Sequence, residues 1–138
     1  MRYLVDANVL SEPTKPAPEA KVIDWLREHE SDLVVDSIIL GELCIGVLAL
    51  PSGRRRVRLE QWFEALAEAV DCLPWDVAVS RRWARLVVDL KRKGDPVPLL
   101  DGMIAATALT HGLTVATRNA VDFRKTGVKV LDPFRTPD

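Results

Sequence analysis

Apolar residues in this chain come in short bursts, set between longer stretches where they recur every three or four positions. The first burst, Tyr3-Leu4-Val5, puts apolar side chains on both faces and ends abruptly on Asp6. Strands with no wet side belong inside a parallel sheet covered by helices. In such sheets ligands bind beyond the carboxyl ends of the strands, so Asp6 is expected to border a crevice.

The same pattern divides the rest of the chain. Ser11 to Pro18 is too rich in proline for helix or central strand and is expected to be an ordered surface loop. Glu19 to His29 carries Val22, Ile23, Trp25 and Leu26 on one helical stripe. Asp32 to Val35 reads as the second strand, and Asp36 or Ser37 as the cap of a helix from Ile38 to about Leu50. Pro51-Ser52-Gly53 ends it. A helix follows from Arg54 to about Val70, with Val57, Trp62 and Leu66 expected inside, joined by Leu59 and Phe63.

Cys72 to Trp75 reads as a short strand whose proline confines it to an edge or an end. Asp76 is placed to cap a helix from Val77 to about Lys93, and Gly94 follows its basic last turn. After the loop Asp95 to Pro98, a helix runs from about Leu99 to His111 and stops at Gly112. Leu113 to Thr117 is a strand, Arg118 to Arg124 a turn or short helix, Val128 to Leu131 the last strand, and Pro133 onward a tail. Short apolar strands alternating with helices predict an α/β three-layer sandwich: a mostly parallel central sheet of about five strands, flanked by helices. At 138 residues, 1–138 is expected to form a single domain.

Charge narrows the partners. The net charge of −1 argues against non-specific binding of duplex nucleic acid, which depends on phosphate neutralisation. Any nucleic-acid contact would need local patches, such as Arg54-Arg55-Arg56 with Arg58 or Arg81-Arg82 with Arg85, or a second protein. No apolar run approaches the roughly 18 residues of a membrane span, and no signal peptide is expected. Cys44 and Cys72 lack metal-ligand spacing and read as buried, reduced thiols of a cytoplasmic protein. His29 and His111 sit at helix ends, where the dipole favours a cation.

The chemistry lies in carboxylates with apolar neighbours. Around Glu42, the positions three and four residues away are Ile38, Ile39, Ile45 and Gly46, with no polar partner among them. Asp101 has Ile104 and Ala105 ahead and Val97 and Pro98 behind. Taken singly, Asp101 is an N-cap, Asp6 a turn residue and Asp122 a capping acid. Together with Glu42 they follow strands or begin helices at one edge of a parallel sheet. Like charges gathered there repel unless a cation neutralises them. Without a His/Cys cluster, a hard ion such as Mg²⁺ or Mn²⁺ is expected over Zn²⁺. Such a site suits in-line attack of water on phosphorus.

The segments Leu4-Val5-Asp6-Ala7-Asn8-Val9-Leu10-Ser11-Glu12-Pro13, Gly41-Glu42-Leu43-Cys44-Ile45-Gly46-Val47, Asp101-Gly102-Met103-Ile104-Ala105-Ala106-Thr107-Ala108 and Thr117-Arg118-Asn119-Ala120-Val121-Asp122-Phe123 resemble the motifs of PIN-domain proteins. The resemblance is to VapC/FitB-type toxins of type II toxin–antitoxin systems and extends from Arg2 to Phe134. It implies a Mg²⁺- or Mn²⁺-dependent endoribonuclease that cleaves RNA, a homodimer, and inhibition by a cognate antitoxin that carries any operator-DNA binding. It maps catalytic roles onto Asp6, Glu42, Asp101 and Asp122, metal ligation onto Asp6 and Asp101, and support onto Asn8, Thr117 and Asn119. The family usually has Thr or Ser where Ala7 stands here. Some FitB-like members carry the fourth acid at the place of Asn119.

Other readings fit less well. A phosphotransferase of the haloacid-dehalogenase kind wants a second acid where Asn8 stands, and a response-regulator receiver wants its acid on a middle strand. A catalytically weak PIN-like partner, working through antitoxin and DNA complexes, is the alternative from another class.

Overall fold

The computed structural model describes residues 2–135; Met1 and the end of the expected tail, 136–138, lie outside the described residues. Five strands form its sheet: β1 (Tyr3–Val5), β2 (Leu33–Asp36), β3 (Asp71–Leu73), β4 (Thr114–Ala116) and β5 (Val130–Leu131). They run in the order β3-β2-β1-β4-β5, and every pairing is parallel. Seven α-helices among the described residues flank them: α1 (Ala7–Leu10), α2 (Ala20–Glu28), α3 (Ser37–Leu48), α4 (Arg54–Ala69), α5 (Val77–Arg92), α6 (Leu99–His111) and α7 (Ala120–Arg124). None is long and apolar enough to cross a membrane.

The missing alternation in the strands has a direct consequence. Leu4, Val5, Val34, Val35, Val115 and Ala116 are all fully buried, so both sides of the central strands are dry. They pack with Val9, Val22, Ile39, Ile104 and Phe123 from five of the helices. The chain moves outward from β1 through β2 to β3, then crosses back to β4 and β5. The order therefore reverses between β1 and β4, and a crevice opens at that switch point.

Local chemistry sets the boundaries. Asp36 accepts from the Ile39 amide at 2.8 Å and caps α3; Asp76 accepts from Val79 at 3.0 Å and caps α5. Gly112, at φ 66°, ends α6 in the left-handed conformation that glycine adopts without steric cost.

Four expectations are corrected. Ser11 to Pro18 is not all irregular loop, because Glu12–Thr14 forms a 3₁₀ turn with Pro13 in its first turn. On α4 it is Leu59 that is buried, whereas Val57 is exposed. Cys72 is exposed on edge strand β3 and Cys44 is only half-buried; both are free thiols. The start of the tail is packed: Phe134 rests against the core and carries the Arg118 guanidinium 4.4 Å above its ring.

Gly102 holds α6 against the preceding loop. A Cβ there would come within 2.9 Å of Val97 Cγ1 and 3.8 Å of Trp83 Nε1. Gly102→Ala should therefore destabilise the protein by about 1–3 kcal/mol, read as a lower melting temperature. An unchanged melting temperature would show that the Val97 loop yields freely.

Candidate active site

Asp6 occupies the turn between β1 and α1, and its environment is built from both sides of the switch point. The Asp6 amide donates to Ala116 O at 2.9 Å, which ties the residue to the end of β4. Its carboxylate caps α1 by accepting from the Ala7 amide at 2.8 Å. The Thr117 hydroxyl donates to Asp6 Oδ2 at 2.8 Å, and Asn8 Nδ2 reaches the same oxygen at 3.3 Å. Only 4% of Asp6 is exposed. Burial pushes its pKa up, and the Thr117, Ala7 and Asn8 donors pull it back. Asn8 also accepts from the Arg118 amide at 3.1 Å and so clamps the β1 and β4 turns together.

Glu42 arrives from the second turn of α3, and Asp101 from the first turn of α6. Asp101 is not the helix cap, since Pro98 holds that position. Asp6, Asn8, Glu42, Asp101 and Asn119 all line one cleft of about 450 Å³. Burial raises the Glu42 pKa to about 7, helped by the charges of Asp6, Asp101 and Asp36. Asp101 is raised to about 6, first by burial and then by Asp6 and Asp122, while Asn119 and Lys125 oppose the shift. Neighbouring negative charge thus adds to burial in raising both groups.

Asp122 enters indirectly. Asn119 Nδ2 donates to Asp101 Oδ2 at 2.8 Å and to Asp122 Oδ2 at 3.0 Å, so one neutral amide bridges two acids. Asp122 also lies 3.7 Å from Lys125 Nζ and does not line the cleft. Thr117 likewise acts from behind, through Asp6 and by accepting from the Asn119 amide at 3.0 Å.

The sequence reading left out Asp36 as a site acid. It is 1% exposed, burial pushes its pKa up, and its charge helps raise Glu42. The signal was present, because Asp36 ends β2 as Asp6 follows β1, but its capping role accounted for it fully.

These residues suit a hard cation. Glu42 Oε1 is buried without any hydrogen-bond partner, among carboxylates that raise one another's pKa values. A buried carboxylate oxygen with nothing to bind is costly unless positive charge arrives. Among the described residues no three His, Cys, Asp or Glu side chains stand ready as a cage. Mg²⁺ does not require one, since it is commonly held through one or two carboxylates and retains water.

Comparison with known proteins agrees with this geometry. The family model described as "PIN domain" matches residues 3–129. VapC ribonuclease Y4jK of Sinorhizobium fredii is 36% identical over 137 residues, covering 95% of this chain and 96% of that protein. Toxin FitB of Neisseria gonorrhoeae is 38% identical over 136 residues, covering 95% and 97%. A solved structure of FitAB bound to an IR36 DNA fragment superposes with a TM-score of 0.88 at 33% identity, covering 99% of this chain and 98% of that one. With the switch-point crevice, the acids around it and full-length likeness all in agreement, this chain belongs to the PIN-domain family, among proteins of the VapC/FitB type.

Proposed function

We propose that the protein is a divalent-metal-dependent endoribonuclease, the toxin of a toxin–antitoxin pair. The observation that carries this reading is the buried, unpartnered oxygen of Glu42, a residue that lines one solvent-open cleft with Asp6 and Asp101. Asp6 and Asp101 would hold Mg²⁺ or Mn²⁺. Bound there, the ion would neutralise phosphate charge and make water more acidic. Glu42, with a pKa of about 7, is suited to orient the attacking water and take its proton near neutral pH. Asn119 and Thr117 fix the acids' positions, and Asp122 acts through Asn119. The relative named VapC ribonuclease supports RNA as substrate.

A protein partner is part of the proposal. Ile45, Leu48 and Val57 are exposed large apolar residues on α3 and α4, next to a groove lined by Cys44, Val47 and Phe63. That face fits an inserted antitoxin segment. DNA is reached through the antitoxin, in keeping with the net charge of −1 and with the FitAB–DNA structure. Cytoplasmic residence and a homodimer complete the reading.

The test is cleavage of single-stranded RNA by the purified chain. Cleavage that appears with Mn²⁺, disappears with chelator and is lost in Asp101→Asn is expected. A wild-type protein with metal and no cleavage would favour the catalytically weak partner, for which the missing hydroxyl at Ala7 supplies a reason.

A further inference from the structure

The acids use only part of the cleft. One side of it extends away from them along the end of α3, the residue Leu50 just past that helix, and α4: Gly46, Val47, Leu50, Arg55, Leu59 and the half-buried Trp62. We infer that this extension is a subsite for the nucleotide beside the scissile phosphate, with Gly46 leaving room for the sugar and base and Arg55 holding the neighbouring phosphate. The inference rests on the nuclease reading above and adds a specific location to it.

Gly46 lies one turn beyond Glu42, on the same face of α3. A Cβ at this position would meet no protein atom within 4 Å, so packing does not call for glycine, and glycine inside a helix weakens it. Openness alone does not mark a site, because Gly41 of the same helix is equally open and lies off the cleft. The difference is position: a side chain at Gly46 would project into the space next to Glu42, and one at Gly41 would not.

Arg55 supplies the charge. Two cations line the cleft, and Lys15 is engaged with Glu12 at 2.8 Å. Among the described residues, Arg55 has neither an ion-pair nor a hydrogen-bond partner, whereas Arg56 beside it binds Glu60 at 2.9 Å. An exposed, unpaired guanidinium in the cleft that holds Asp6, Glu42 and Asp101 matches a ligand that brings a second phosphate, as a polynucleotide does. The apolar floor and Trp62 offer a surface for a base.

Binding of a fluorescein-labelled single-stranded RNA in EDTA, across a salt series, tests this together with kcat/KM for cleavage in Mn²⁺. Arg55→Ala should weaken binding by about tenfold and reduce the slope of log affinity against log salt by about 0.7, with Arg55→Lys restoring the slope. Gly46→Leu should lower kcat/KM by about 10- to 100-fold with an unchanged salt slope, and its melting temperature should match or exceed that of the wild type. Gly41→Ala should raise the melting temperature by about 2–4 °C with wild-type binding and cleavage. Wild-type binding and cleavage in both Arg55→Ala and Gly46→Leu would leave the extension to a protein partner and overturn the inference. Failure of the wild type itself to cleave RNA would instead remove the nuclease reading on which it rests.

Discussion

Glu42→Gln should abolish most RNA cleavage, by about 100-fold or more, and at the same time raise the melting temperature of the metal-free protein at pH 7.5. Both effects come from one feature. Folding lifts the Glu42 pKa from an ordinary 4.5 to about 7. Below about pH 4.5 the group is protonated whether folded or not, and no penalty arises. Between the two values the unfolded chain sheds the proton freely while the folded protein retains it, so stability falls as pH rises. Above about 7 the loss is complete. Asp101 adds to the same trend between 3.8 and about 6.

Metal-free wild type is therefore expected to melt lower at pH 7.5 than at pH 5, and Glu42→Gln to reduce that gap. Added Mn²⁺ should raise the wild-type melting temperature at pH 7.5, since a ligand that binds only the folded state stabilises it. Identical pH dependence in the two proteins would mean that Glu42 is not under the strain described.

Asp6→Asn should weaken Mn²⁺ binding more than any other single change at the site, by about 100-fold or more in a calorimetric titration. Asp6 is 4% exposed and held by the Ala7, Thr117 and Asn8 donors, so it has little freedom to be replaced by a neighbour. Asparagine keeps an acceptor for the Ala7 amide and should preserve the cap of α1. The variant should accordingly retain its fold by circular dichroism while losing both metal and cleavage. Unchanged Mn²⁺ affinity would remove Asp6 from the ligand set.

The chain announced its architecture through positions whose meaning is local. Tyr3-Leu4-Val5 could not be a half-wet strand, Asp76 could cap only what followed it, and Gly112 could end α6 because it alone tolerates φ 66° there. Glu42 was recognisable for a similar reason: its helical neighbours offered no partner, so an outside charge had to be assumed. Properties that depend on a distant neighbour were not readable. Val57 and Leu59 suit the inside of a helix about equally, and only the approach of α3 to α4 selects Leu59. Cys72 sits in an apolar segment but falls on a sheet edge, where it stays exposed.

The amino-acid order by itself determined the central strands, the Asp76 cap and which acids lacked a local partner, because those follow from spacing along one element. Tertiary structure alone decided that Asn119 bridges Asp101 and Asp122, that Asp36 adds its charge to Glu42, and that Arg55 stands in the same cleft as Gly46. Each of those depends on elements far apart in sequence meeting at the point where the sheet reverses direction, a distance that no local pattern encodes.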